Sequence, residues 1–167
     1  MEGEKSLILD SRQVKQKIRR MAFQIYENNF KEKQLVLAGI DGQGYVLAKE
    51  ILKELEAISP IEGKLVKVTL DKLAPQQSDV TLDCDLKEIK KKCVVLIDDV
   101  LNTGRTFVYG LKPFLHIEIK KIETAVLVNR SHTLFPVYPI YTGYELSTTI
   151  DDHVQVSLGK ESSVYLS

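Results

Sequence analysis

Val94-Val95-Leu96-Ile97, followed by Asp98-Asp99-Val100-Leu101-Asn102-Thr103-Gly104-Arg105-Thr106, passes from an apolar run into two acids and then into a small, hydroxyl-bearing turn. Four apolar residues, three of them β-branched, read as a central strand buried on both faces. The turn after them opens a predicted helix over about 104–115. Ile122 to Val128 follows as another buried strand. Upstream, Leu35 to Ile40 is a short apolar strand that ends in Asp41-Gly42-Gln43-Gly44. A helix follows it, with Ala48, Ile51, Leu52 and Leu55 on one face, and then a strand over 65–70. Strands alternating with helices predict parallel βαβ units. The fold class is therefore α/β, a doubly wound, mostly parallel sheet flanked by helices.

The flanks complete the plan. Asp10 and Gln13 resemble a capping box, and Val14, Ile18, Met21, Ala22 and Ile25 recur at helical spacing, so an amphipathic helix is predicted over 10–29. Residues 71–92 are polar, with Pro75, two glutamines and three consecutive lysines at 90–92. They read as a mobile loop carrying a short strand near 80–84. The last third holds Pro136, Pro139 and four of the seven tyrosines, with alternating runs at 137–141 and 154–158. It predicts a small subdomain over about 136–160, beside the sheet. At 167 residues and 44% apolar, the chain fits one domain, 1–167, with its own core.

Composition excludes several classes. Lys+Arg equals Asp+Glu at 23 each, so no global charge draws the chain to nucleic acid or to an anionic membrane. Cys84 and Cys93 lack CxxC spacing and suggest neither a disulfide framework nor zinc. Met1-Glu2-Gly3-Glu4-Lys5 has no leader character, and no apolar run approaches ~18 residues. A soluble cytoplasmic protein without membrane contact is expected.

In a doubly wound sheet, ligands bind beyond the carboxyl ends of the strands, where both the 41–44 turn and the 98–106 segment fall. Two carboxylates there are costly to bury without partners and should face an opening. As the strand opens into a loop, both can turn to one ligand. Vicinal ribose hydroxyls or a bound Mg²⁺ would satisfy them, each charge-assisted hydrogen bond being worth about 1.5–3 kcal/mol. Thr103, Gly104 and Thr106 stand where a helix begins, and hydroxyls with free N–H groups at a positive helix end make a phosphate cup. Diol-binding acids followed by a phosphate cup describe a site for 5-phosphoribose.

Val94 through Thr106 resembles the phosphoribosyl-diphosphate signature of the type I phosphoribosyltransferases: four apolar residues, two acids, a spacer and T-G-x-T. The resemblance covers nearly the whole chain and runs to the pyrimidine-operon attenuation regulators that double as uracil phosphoribosyltransferases. It is carried by Ile8-Leu9-Asp10, Gly39-Ile40 with Leu47-Ala48-Lys49, the 98–106 segment, Ala125 to Val128 with Arg130 and His132, and Tyr141 with Gly143. It implies Mg²⁺-dependent transfer of 5-phosphoribose to a nitrogenous base, pyrimidine-like, with pyrophosphate released. By this resemblance Asp98 and Asp99 are the catalytic acids, holding the ribose hydroxyls and Mg²⁺ through the ligand. Val100, Leu101, Asn102, Thr103, Gly104, Arg105 and Thr106 complete the ribose-5-phosphate site. Ile40, Asp41, Gly42, Gln43, Gly44, Lys72 and Arg130 are assigned to pyrophosphate, and Asp152 and His153 to the base. The 71–92 segment becomes the lid, 136–160 the hood, and a homodimer is implied.

Five sites depart from the family pattern. Asp41 and Gln43 replace cations in the pyrophosphate loop. Asp71-Lys72 replaces a lid arginine, without its bidentate fork. Gly159 stands where a metal-binding acid is expected. Asn102 replaces the acid that serves the ring in purine-salvage members, which weighs against purine salvage. The ribose-5-phosphate half is thus complete and the pyrophosphate half weakened. That asymmetry leaves a rival, a catalytically weak nucleotide-binding regulator. Arg12, Lys15, Lys17, Arg19 and Arg20 on the first helix could mark messenger RNA, although cations on a helix are more often a solvated face, so RNA is the lesser expectation.

Overall fold

The computed structural model describes residues 3–74, 76 and 79–167. Met1 and Glu2 of the leader reading, and Pro75, Gln77 and Ser78 of the lid reading, lie outside the described residues. The chain runs β1 (Ser6–Leu9), α1 (Ser11–Asn29), β2 (Gln34–Ile40), α2 (Gln43–Ile58), β3 (Glu62–Thr69), β4 (Thr81–Leu82), β5 (Cys93–Leu101), α3 (Arg105–Gly110), β6 (Lys121–Asn129), β7 (Tyr141–Glu145), β8 (Val154–Ser157) and β9 (Ser163–Leu166). Short 3₁₀ helices occupy Leu86–Glu88 and Lys112–His116.

Six strands form the main sheet in the order β4-β3-β2-β5-β6-β7. All its pairings are parallel except β3 with β4, as the α/β reading expects. Period-two alternation divides two cores. Leu35, Leu37, Val95 and Ile97 pack with Ile18, Leu47 and Ile51 beneath α1 and α2. Val36, Ala38, Val94 and Leu96 pack with Phe107 and Phe114 on the other face. Each fully buried aliphatic or Phe side chain contributes roughly 1.5–3 kcal/mol. Helix α1 starts on the predicted capping box, with Gln13 N donating to Asp10 Oδ1 at 2.8 Å and Asp10 N to Gln13 Oε1 at 2.9 Å.

Several boundaries differ from the sequence reading. The predicted 104–115 helix stops at Gly110, because Pro113 has no N–H and the chain tightens into a 3₁₀ turn. Strand β7 starts at Tyr141, after Pro139, and joins the main sheet beside β6 rather than the small subdomain. The second sheet is three-stranded, β1-β9-β8, so its members come from both ends of the chain and reach past residue 160. The 71–92 segment is partly packed. Asp85 and Glu88 form a capping box, and Ile89 is fully buried in the core of the α3 face. Among the described residues, no helix is long and apolar enough to cross a membrane.

Candidate active site

Strand β5 continues straight through both acids to Leu101, and past Asp98 its alternation breaks. Val100 then packs with the α1/α2 core and Leu101 with the opposite one. The break brings Asp98 and Asp99 onto one cleft of about 410 Å³, which also takes in Asn102, Thr103, Gly104, Arg105 and Thr106. Lys72, His153 and Gln155 complete the parts of its wall that carry polar side chains.

Asp98 is only 2% exposed. Its Oδ1 accepts the Asp99 N–H at 2.9 Å and lies 3.1 Å from Lys72 Nζ. Burial, with Asp99 next to it, pushes this carboxyl up to about 8, against the pull of Lys72. In the free protein a proton and the Lys72 ammonium are thus alternative ways to neutralise Asp98. Lys72 lines the acid cleft through this contact with Asp98.

The cup is held from behind. Thr103 O accepts the N–H groups of Leu134 at 2.8 Å and Phe135 at 3.0 Å. Thr103 Oγ1 takes Arg105 N at 3.3 Å, and Gly104, at φ 88°, adopts the left-handed turn that starts α3. Thr106 is half-buried on the same wall.

The 41–44 turn joins the site through one member. Gly44 is buried so closely that a Cβ there would stand 2.7 Å from Asp98 Oδ1. Ile40 is core, while Asp41 and Gly42 are exposed and do not line the acid cleft. Asp41 Oδ1 accepts the Gly42 N–H at 2.9 Å and lies 4.0 Å from Lys67 Nζ. Lys67, passed over in the sequence because it looks like an ordinary strand lysine, thereby offsets the acid.

Gln43 faces the small sheet. Its Oε1 accepts the Leu158 N–H at 2.9 Å, beside Gly159 at φ 133°. Two of the departures from the family pattern therefore adjoin each other. An acid at 159 would be strained by that backbone, and a cation at 43 would have no acceptor for Leu158. Gln43→Arg is expected to lower stability by about 1 kcal/mol and Gln43→Glu to retain it, as read by denaturant unfolding.

Arg130 is not near the 41–44 turn in its bonding. Its guanidinium donates to Asn102 Oδ1 at 2.8 Å, Thr148 Oγ1 at 3.0 Å, Thr149 O at 3.1 Å and Asp152 O at 2.7 Å. The Asp152 carboxylate accepts Thr149 N at 2.6 Å, a bond that holds it below the usual carboxylate range, so it closes its own turn instead of facing a cleft. His153 does line a cavity. It borders the acid cleft and a second cleft of about 430 Å³, formed by Asn102, Thr103, Arg130, His132, Leu134, Ile150 and Val154. Leu134 and Ile150, 81% and 91% exposed, give that cleft an apolar lip that no sequence periodicity announced. His132 Nε2 donates to Thr148 O at 2.9 Å and lies 2.8 Å from its hydroxyl.

A larger groove of about 830 Å³ opens at the opposite ends of the strands, lined by Lys31, Glu32, Lys33 and Lys91 among others. It lies away from the carboxyl edge where such sheets bind ligands. The cations of α1 are largely engaged. Arg20 donates to the carbonyls of Thr142 and Gly143, Lys17 lies 5.7 Å from the Tyr144 ring, and Arg19 lies 5.8 Å from that of Phe23.

Residues 5–160 match the family described as the phosphoribosyl transferase domain. The chain is 32% identical to the Bifunctional protein PyrR of Alkaliphilus metalliredigens, over 98% of this chain and 96% of that protein. It is 30% identical to the Bifunctional protein PyrR of Fusobacterium nucleatum, over 99% and 100%. Among solved structures, the hypoxanthine phosphoribosyltransferase of Trypanosoma cruzi superposes with a TM-score of 0.75 at 13% identity, covering 89% of this chain and 84% of that one. A hypoxanthine-guanine phosphoribosyltransferase of Bacillus anthracis gives 0.70 at 17%, over 86% and 84%.

Proposed function

Because the chain belongs to the phosphoribosyl transferase family, we propose that it transfers 5-phosphoribose from phosphoribosyl diphosphate to a ring nitrogen of a pyrimidine-like base such as uracil, releasing pyrophosphate. The observation that carries this reading is the convergence of Asp98, Asp99, Thr103, Gly104 and Thr106 on one cleft, with an apolar-lipped cleft beside it. The acids take the ribose hydroxyls, the 103–106 cup takes the 5-phosphate, and the second cleft takes the base along His153.

In the reaction the bond from ribose C1′ to the pyrophosphate oxygen breaks, a bond from C1′ to the base nitrogen forms, and the proton that nitrogen carried leaves to water or with the pyrophosphate. Positive character grows on the sugar as the leaving group departs, and carboxylates fixed beside it stabilise that charge. Lys72, when displaced from Asp98 by the diol, becomes a cation free to meet the leaving pyrophosphate.

Among the described residues, no three His, Cys, Asp or Glu side chains group to hold a metal. Mg²⁺ fits this donor set nonetheless, since it is ordinarily bound by one or two carboxylates with water and substrate phosphates. Asp98 and Asp99 would hold it through the bound ligand, and the ion supplies charge neutralisation to the pyrophosphate.

The test is pyrophosphate release from phosphoribosyl diphosphate and Mg²⁺ with a panel of free bases. Release with uracil and none with hypoxanthine is the expected result. Binding of phosphoribosyl diphosphate without release for any base would favour the second reading, a ligand-binding regulator of pyrimidine gene expression. That reading is supported by the Gln43–Leu158 bond and by the commitment of Arg130 to the 148–152 loop. RNA binding by α1 is the weaker part of it, because only Arg12, Lys15 and Arg19 share one surface while Arg20 and Lys17 serve β7. The homodimer and the cytoplasmic setting are part of the reading on resemblance.

A further inference from the structure

Asn102 stands where the two clefts meet, bordering both, and is exposed. One of its amide atoms lies 2.8 Å from Arg130 Nη1. A guanidinium carries five N–H donors and no acceptor, so the atom facing it is the amide oxygen. The NH₂ group is then turned away, and among the described residues it makes no hydrogen bond. Arg130 cannot swing to release the amide. Its Nε is held by Thr148 Oγ1 at 3.0 Å, and its Nη2 by Thr149 O at 3.1 Å and Asp152 O at 2.7 Å. Thr148 is anchored in turn by His132 Nε2, 2.9 Å from its carbonyl oxygen. The chain of contacts runs from the wall of the second cleft, through one planar cation, to a single side chain at the rim of the phosphate cup.

We infer that Arg130 is a positioning residue that presents Asn102 to the ligand as a hydrogen-bond donor, so that the site selects bases offering an acceptor, a carbonyl oxygen or an unprotonated ring nitrogen, at that point. The inference rests on the proposed function and deepens it. A base with only donors on that edge would leave the amide N–H unpaired and meet donor against donor, while a carbonyl-rich pyrimidine satisfies it. Lysine at 130 keeps the charge but loses the fork that grips Asn102 and the 148–152 loop together. Aspartate at 102 keeps an acceptor for Arg130 and removes the donor from the cleft.

The test is calorimetric, with uridine 5′-monophosphate and its 2-thio and 4-thio analogues, because sulfur is a weak acceptor. In the unaltered protein, one of the two replacements is expected to weaken binding by about tenfold, the value of one hydrogen bond. Within Asn102→Asp the ratio of analogue to parent dissociation constants is expected to fall to about 1 or below. In Arg130→Lys it should fall part of the way, with the thermal unfolding midpoint recorded for each variant. A ratio is insensitive to a general loss of affinity, so a merely structural role for Arg130 would leave it unchanged. Equal affinity of the unaltered protein for all three nucleotides, or an undiminished ratio in Asn102→Asp, overturns the inference. Ribose 5-phosphate is titrated alongside into the unaltered protein. Should it fail to bind, the proposed function falls first and this inference with it. If it binds and the ratio is unmoved, only the inference falls.

Discussion

Replacing both acids at the end of β5, Asp98→Asn with Asp99→Asn, is expected to weaken Mg²⁺-dependent binding of phosphoribosyl diphosphate by two to four orders of magnitude. Each carboxylate offers a charge-assisted hydrogen bond to a ribose hydroxyl, and two such bonds at about 1.5–3 kcal/mol correspond to roughly 10²- to 10⁴-fold in affinity. An asparagine still accepts through its oxygen, so the cleft keeps its shape while losing charge. Titration calorimetry with and without Mg²⁺ reads the effect, and unchanged affinity would remove Asp98 and Asp99 from the site.

The same variant separates function from stability. Asp98 titrates near 8 in the folded chain, against 3.8 for the unperturbed group, because it is buried next to Asp99. The folded state therefore binds this proton more tightly than the unfolded state does. The stability it contributes is full below about pH 4 and declines as pH climbs towards 8, as long as Lys72 is its only cationic partner. Asparagine does not titrate, so the ligand-free variant should lack that decline. At pH 8 it should be more stable than the parent, and near pH 4 the gain should vanish. Loss of binding together with a gain in stability marks a carboxyl kept for a ligand at the expense of the fold. A parallel loss of both would instead mark a structural acid.

What could be read in the chain was what depends on local chemistry. Asp10 and Gln13 announced α1 because a capping box is complete within four residues. Val94 to Ile97 announced the central strand because a fully apolar strand has no other stable place in a soluble sheet. The 103–106 turn that starts α3 was legible because its hydroxyls and glycine are consecutive. What was not legible depends mostly on partners distant in sequence. Ser6–Leu9 is too short to declare itself, and its partner β9 lies at the far end of the chain. Arg130 was assigned to an anion, yet four acceptors from 102, 148, 149 and 152 take its guanidinium first. Adjacency grouped Asp152 with His153 as expected base contacts. The Asp152 carboxylate instead accepts the N–H of Thr149, three residues before it, and closes its own turn.

Gly39→Ala is expected to be among the most damaging single substitutions in the chain, costing about 2–4 kcal/mol. An added Cβ would stand 2.6 Å from Tyr45 Cα, 2.9 Å from Ala48 Cβ and 2.9 Å from Gly44 O. Two of those atoms are backbone of the first turn of α2, so relief requires moving the helix itself. The helix cannot move inward. A Cβ on Gly44 would already lie 3.0 Å from Asp98 Cα and 3.0 Å from Ile97 O, so α2 is seated directly on β5. Moving outward separates Gly44 from Asp98 and loosens the Gln43–Leu158 bond, which connects the 41–44 turn to the small sheet. Urea unfolding should therefore show a lower midpoint with an unchanged slope, and affinity for pyrophosphate should fall with it. Gly63→Ala is the control. There the Cβ meets only the end of the Leu52 side chain, which can rotate away, and a cost below about 1 kcal/mol is expected. Equal costs at 39 and 63 would mean that backbone contact between α2 and β2 is not what holds the turn against the acids.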